Sequence, residues 1–232
     1  MIGPADAILE RPYPRTGIAL TNLSVLKLPA EDWLDLLEDS FELARNAVAT
    51  SVRRVAALEA RRWSLEKEPR GSMVTTAPAY AHTLSFVDRL AMFTGVGLLR
   101  SAGVQVVSDV VSLVGEERFA PGERIWRRGE APGRTFIIVT GEAVAERSDP
   151  ALTVRFGPGS AIAGTASLGD GVRDWEARAV IETRVLSLPI EAWFDEMEEH
   201  FDLVRSALGA LALLRDEIVE DLARGKIELV LG

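Results

Sequence analysis

The chain repeats itself, and this limits its possible folds more than any other feature. Residues 25–47 read VLKLPAEDWLDLLEDSFELARNA and residues 185–207 read VLSLPIEAWFDEMEEHFDLVRSA; at an offset of 160, 12 of the 23 positions are identical. A shorter match, Gly3-Pro4 with Ala7-Ile8 against Gly157-Pro158 with Ala161-Ile162, falls at an offset of 154, so copy two holds six more residues between the blocks. Such a repeat implies one supersecondary unit used twice. Copy one starts in the middle of the unit, with nothing to match residues before about 155 of copy two. Its missing front could come from upstream sequence or from another subunit, or be replaced by packing of the half-unit on copy two. The residues leave all three open.

Each copy reads alike. A stretch rich in Val, Leu and Thr (Ala19–Leu28, Ala179–Leu188) alternates as a β-strand does. Pro29 or Pro189 then opens a helix with a glutamate in its first turn. Apolar residues follow at helical spacing: Trp33, Leu37, Phe41, Ala44, Val48, Val52 and Val55 in one copy, Trp193, Met197, Phe201, Val204, Leu208, Leu211 and Ile218 in the other. One-sided faces of this kind must bury against something. The first half of each face is expected to pack on its own domain, and helix pairing stays open for the second half.

Between the copies, Pro69, Gly71 and Pro78 among small polar residues mark residues 67–80 as a linker. Residues 81–114 read as helical. From Glu117 to Leu188 the texture changes to short β-like runs separated by Gly and Pro: Arg124–Trp126, Thr135–Val139, Glu142–Glu146, Thr153–Arg155, Glu176–Ile181 and Arg184–Leu188. Many short strands with turn punctuation predict a jelly roll. The expected fold is therefore α+β: a β-roll with flanking helices plus an N-terminal partial copy. The expected units are 1–66 (partial copy), 67–80 (linker), 81–224 (complete copy) and 225–232 (tail).

The series Phe119-x-Pro121-Gly122-Glu123-x-Ile125, Gly129-Glu130-x-x-Gly133 and Phe136-Ile137-Ile138-x-x-Gly141-Glu142 resembles the front of a cyclic-nucleotide-binding domain. This is the module of catabolite-activator-type regulators, protein kinase A regulatory subunits and nucleotide-gated channels. Phe156-Gly157-Pro158-Gly159 and Val185-Leu186-x-Leu188 fit its later strands, and the resemblance covers about residues 86–224. It implies a phosphate-binding cassette between two strands. There an arginine and backbone amides would hold the cyclic phosphate, and a glutamate after a glycine would accept from the ribose 2′-hydroxyl.

In this chain the matching segment runs from Ala163 to Ala177. Gly164 fits the glycine, Ser167 a position whose amide faces phosphate, and Arg173 the arginine, with one loop residue deleted. Thr165 stands in the place of the glutamate, followed by Ala166. Loss of a hydrogen bond to a charged group costs about 1.5–3 kcal/mol, a roughly 10- to 100-fold weaker site. Asp174 and Glu176 are expected to engage Arg173 in the empty site or to repel phosphate. Trp175 fits a partly buried loop residue better than a lid on a base. The corresponding stretch of copy one, Leu9 to Arg15, is shorter and carries Pro12 and Pro14, which leave little room for a capturing helix.

Other chemistries find little footing. With no cysteine, disulfides, thiol catalysis and cysteine-ligated zinc are excluded. His82 and His200 are the only histidines and none lies in 117–188, so neither a metal centre nor a cupin-like active site is expected. Ser167 has no histidine nearby in sequence, and Glu38/Asp39 and Glu198/Glu199 read as solvated helix faces. The net charge of 26 − 35 = −9 opposes nucleic-acid binding, and the residues after the last helix are too few for a helix-turn-helix. Arg53, Arg54, Arg61 and Arg62 are expected to pair with Glu59 and Glu66. No run approaches the ~20 apolar residues of a membrane span, and no secretory signal is read at the N-terminus, so a cytoplasmic location is expected.

The chain therefore reads as a non-enzymatic regulatory or scaffold protein with a degenerate cyclic-nucleotide-binding-like domain. It is expected to have no cofactor and to act on a protein partner or on itself through its long helices. The alternative is a cAMP or cGMP sensor whose second copy binds ligand weakly and moves its C-terminal helix.

Overall fold

The computed structural model describes residues 3–14, 16–65, 71–73, 80, 82–96, 99, 102–148, 151–162, 165–169 and 171–224. Most of the linker and the tail 225–232 fall outside these. In chain order come α1 (Pro4–Ile8), α2 (Ala30–Asp39), α3 (Phe41–Leu65), β1 (Gly71–Met73), α4 (Phe86–Thr94) and α5 (Val104–Ser112). Then follow β2 (Gly115–Phe119), β3 (Arg124–Trp126), β4 (Arg134–Thr140), β5 (Ala143–Ser148), β6 (Ala151–Phe156), β7 (Ala161–Ile162), β8 (Glu176–Ala179) and β9 (Thr183–Pro189). The chain ends in α6 (Ile190–Glu199) and α7 (Phe201–Arg224), and a short 3-10 helix, Thr165–Leu168, lies between β7 and β8.

The strands form two sheets, ordered β1-β6-β5-β8-β3 and β2-β9-β4-β7. Period-two side-chain alternation gives the second sheet two apolar faces. Phe136, Ile138 and Val185 point into the roll, where they meet Phe119, Trp126, Val154 and Phe156. Ile137, Val139, Leu186 and Leu188 point the other way, into a helical layer that includes Val107, Val110 and Val111 of α5. The roll is thus a sandwich with helices on one side. Gly141 shows why its turns need glycine: φ is 97° and a Cβ there would stand 2.4 Å from the Glu182 carbonyl oxygen. The segment expected to be only a linker also holds β1, which pairs in parallel with β6 at the sheet edge.

The helical part of the repeat is reproduced residue for residue. Pro29 (φ −54°, ψ 150°) and Pro189 (φ −56°, ψ 142°) precede helices of 10 residues. Both helices stop at an extended residue, Ser40 (φ −137°) or His200 (φ −130°), before the long helix begins. The two long helices, α3 and α7, pack on each other. Arg62 near the end of α3 bonds Asp221 near the end of α7 at 3.4 Å, and Ala47 and Leu208, near their starts, line one cavity. The helices therefore run in the same direction, with equivalent residues facing across the seam. The basic stripe joins this seam through Arg62, which pairs with Asp221 and whose charge also opposes the burial-driven rise in the Glu59 pKa; Glu66 lies outside the described residues.

The β part of copy one departs from expectation. Residues 19–28 form no strand and are exposed; a strand needs neighbours to complete its hydrogen bonds. Gly3–Ile8 likewise does not copy Gly157–Ile162. The latter makes a turn and β7, which pairs with β4, whereas the former becomes α1 and packs on α7. Arg11 anchors it there by bridging Asp6 and Asp216. No described helix is long and apolar enough to cross a membrane.

Candidate functional site

The connection from β7 to β8 carries the residues singled out as a cassette. Gly164 lies outside the described residues. Thr165 and Ala166 open the short 3-10 helix, and Ser167 and Leu168 close it. Ser167 is buried at 1% exposure, and Leu168 joins the helical core. This short helix packs against α3 of the other copy.

Arg173 is fixed by its backbone and side chain alike. Its N–H donates to the Glu130 carbonyl and its own carbonyl accepts from Gly129, both at 2.8 Å. Gly129 has φ 87°, in the region that favours glycine. The guanidinium is carried inward, leaving the residue 8% exposed. There it lies over the Trp126 ring at 4.0 Å, and Nη2 donates to the Arg134 carbonyl at 2.6 Å. Burial lowers its pKa to about 10, opposed by the charge of Glu130, so the group stays cationic at neutral pH. No carboxylate among the described residues lies within ion-pair distance of it.

Trp126 is held in turn: its indole N–H donates to the Trp175 carbonyl at 2.8 Å, and its ring stacks on Phe136. Trp175 is half-buried beneath Arg147, whose guanidinium stands 5.1 Å from its ring. The acids next to Arg173 in sequence are engaged elsewhere. Asp174 pairs with Arg147 at 3.5 Å and Glu176 with Arg124 at 3.1 Å. Neither engages Arg173, contrary to the first of the two expectations, because Asp174, in the loop before β8, pairs with an arginine of β5 and Glu176, on β8, with one of β3. The residues missed from sequence are Trp126 and Arg134. Trp126 lies within a recognised strand, but only the fold brings it to Arg173.

Asp109, Glu196 and His200 bring donor atoms within 4.8 Å of one another at the break between α6 and α7. His200 Nε2 stands 3.7 Å from Asp109 and 3.8 Å from Glu196. Burial raises the pKa of Glu196 and His200 opposes the rise, while Glu199, Asp109 and Asp195 add to it. The trio is half-buried and reads as an ion-pair cluster.

Residues 116–200 match the model of the cyclic nucleotide-binding domain family. The β-roll is of the cyclic nucleotide-binding type. No curated protein sequence matches the chain. A candidate cyclic nucleotide binding protein from Ruegeria pomeroyi superposes with a TM-score of 0.51 at 19% identity, over 61% of this chain. The match spans 64% of that protein's length, just under two thirds. A cyclic nucleotide-binding domain from Methylobacillus flagellatus gives a TM-score of 0.49 at 20% identity, over 63% of this chain and 86% of its own. The regulatory domain of Toxoplasma gondii PKA, co-crystallised with cAMP, gives 0.45 at 18%, over 60% and 50%. At such identities the likeness is one of fold.

Proposed function

We propose that the chain is a non-enzymatic regulatory module acting through protein contact, its cyclic nucleotide-binding domain kept as a framework and weakened as a receptor. The position of Arg173 carries this reading. Its guanidinium, the group the family turns toward a cyclic phosphate, already lies on Trp126 and donates to the Arg134 carbonyl. To hold a phosphate it must give up part of that arrangement. Thr165 further removes the sugar-binding acid, a loss of about 1.5–3 kcal/mol. The short helix of the cassette touches α3, and α3 packs on α7, so a change in that connection reaches both long helices. A protein partner fits a chain of net charge −9 better than nucleic acid does, and a cytoplasmic setting is part of the reading.

One observation favours a cAMP or cGMP sensor instead. Among the described residues no carboxylate lies within ion-pair distance of the buried Arg173 and the Glu130 charge only partly offsets its burial, so a cyclic phosphate would add countercharge there. Calorimetric titration separates the two. The scaffold reading expects no saturable heat with either nucleotide below ~1 mM, and measurable binding once Thr165→Glu restores the acid. Saturable binding at low micromolar ligand that vanishes in Arg173→Ala would overturn it in favour of the sensor.

A further inference from the structure

A cavity of about 420 Å³ opens beside the seam of α3 and α7, a size ordinary for a small-molecule site. Residues of α1 and α2 complete its walls. Its floor is apolar: Leu37, Leu208 and Leu211 are all buried. At its rim Leu36 and Leu43 are 46% and 49% exposed. None of the described cassette residues lines it, so it is separate from the connection between β7 and β8.

Most of its polar lining is already engaged. The Ser51 hydroxyl donates to the Ala47 carbonyl at 2.8 Å, and Thr50 Oγ1 accepts from Arg53 at 2.9 Å. Arg215 is held by Asp216, its Nη2 2.6 Å from Oδ1. Asp6 and Asp216 together answer Arg11 and Arg215. Arg54 is different. It is exposed and makes no hydrogen bond or ion pair with any described residue. The two lining arginines stand at one end of the cavity. Because α3 and α7 run in register, with Arg62 bonded to Asp221, Arg54 lies level with residues 214–215. Leu43 marks the other end, eleven residues earlier, which is about 16 Å at the helical rise.

From this we infer that the cavity binds one amphipathic anion, an alkyl carboxylate of about the length of dodecanoate. The chain lies along the leucine floor from Leu43, and the carboxylate meets Arg54, with Arg215 beside it. A guanidinium recognises a carboxylate through paired, charge-assisted hydrogen bonds. A sugar or nucleotide would set its polar groups against leucine with no partner, at a cost. Wet leucines by themselves would suit any apolar occupant; the unanswered charge at one end selects a small anion. The bound molecule would touch α2, α3 and α7 at once and so tighten the joint between the copies. The inference goes beyond the regulatory reading above and does not depend on whether cyclic nucleotide binds.

Octanoate, decanoate, dodecanoate and hexadecanoate, each below its micellar concentration, are titrated calorimetrically into the intact chain. Dodecanoate should bind one to one with a Kd below ~1 mM. Each two methylenes up to dodecanoate should tighten binding roughly tenfold, and hexadecanoate should gain nothing further. Dodecyltrimethylammonium, with the same tail and the opposite charge, should bind the parent about tenfold more weakly than dodecanoate does. Arg54→Glu, at an exposed position, should reverse that preference and leave the thermal melt unchanged. Leu36→Asp, also exposed, should weaken dodecanoate while keeping the fold. Four outcomes would overturn the inference: no saturable dodecanoate binding at ~1 mM, equal binding of the anion and the cation, a gain that continues to hexadecanoate, and several molecules bound per chain. Sedimentation of the chain with phosphatidylglycerol vesicles in the absence of one-to-one dodecanoate binding would also overturn it, and would identify a membrane surface as the partner.

Discussion

Glu196 stands among Asp109, Asp195 and Glu199, with His200 as its one basic neighbour in the cluster. Burial first, then these acids, make its ionised form unfavourable, so its folded pKa lies above the unfolded value. The sign follows from linkage. The contribution to stability is complete below the unfolded pKa and is lost as pH rises through the folded one. Ionised Glu196 is then a cost at neutral pH. Thermal melts of Glu196→Gln should show a higher Tm than the parent at pH 7 to 8, with the gain shrinking as pH falls through the raised folded pKa and gone below about pH 4, the ordinary carboxylate range. A gain that does not change with pH would refute this account. Arg173 shows how far a residue's role was legible beforehand. Its alignment with a phosphate-binding arginine came from local sequence. Its contacts did not, because Trp126 and Arg134 reach it only through the β3–β8 pairing and the turns beside it. Sequence neighbours misled for the same reason: Asp174 and Glu176 lie within three residues of Arg173 but pair with arginines of β5 and β3.

At the scale of elements, identical sequence yields different structure in the two copies. The helices were readable because proline, first-turn acids and an apolar stripe are local signals, and the same signals give the same helix twice. Strands β3 to β6, β8 and β9 were readable from their turns. Strands β1, β2 and β7 were not: they are short or at an edge, with little pattern of their own. The alternation in 19–28 announced a strand that does not form, because a ladder is a property of pairs and the sequence named only one member. The contrast has a measurable form. Leu186→Ala, in the packed strand, should cost about 2–5 kcal/mol. Leu26→Ala, its exposed counterpart, should stay within about 0.5 kcal/mol of the parent. Urea melts of the two variants check it, and equal losses would mean that residues 19–28 are buried in solution.

The whole molecule is organised by the seam between α3 and α7. Ala44, Val48, Val52 and Val55 on one side, and Val204, Ala207, Leu208 and Leu211 on the other, are buried in a single core. The apolar stripes that suggested self-association are therefore engaged within one chain. The expectation is a monomer by light scattering at micromolar protein, and a stable dimer at that concentration would show that other surfaces associate. A cavity of about 420 Å³ remains beside the seam, walled by Trp33, Leu37, Leu43 and Leu208.

Because one chain encodes both sides of that seam, the two halves cannot be diluted apart. A pair of separate subunits would let go as concentration fell, whereas a tethered pair keeps a fixed effective concentration. Each side is also free to mutate alone. Leu36 opposite Glu196 in the repeat, and Ser40 opposite His200, already differ. A dyad that began with matched halves can in this way assign one half to anchoring and the other to contact with the outside.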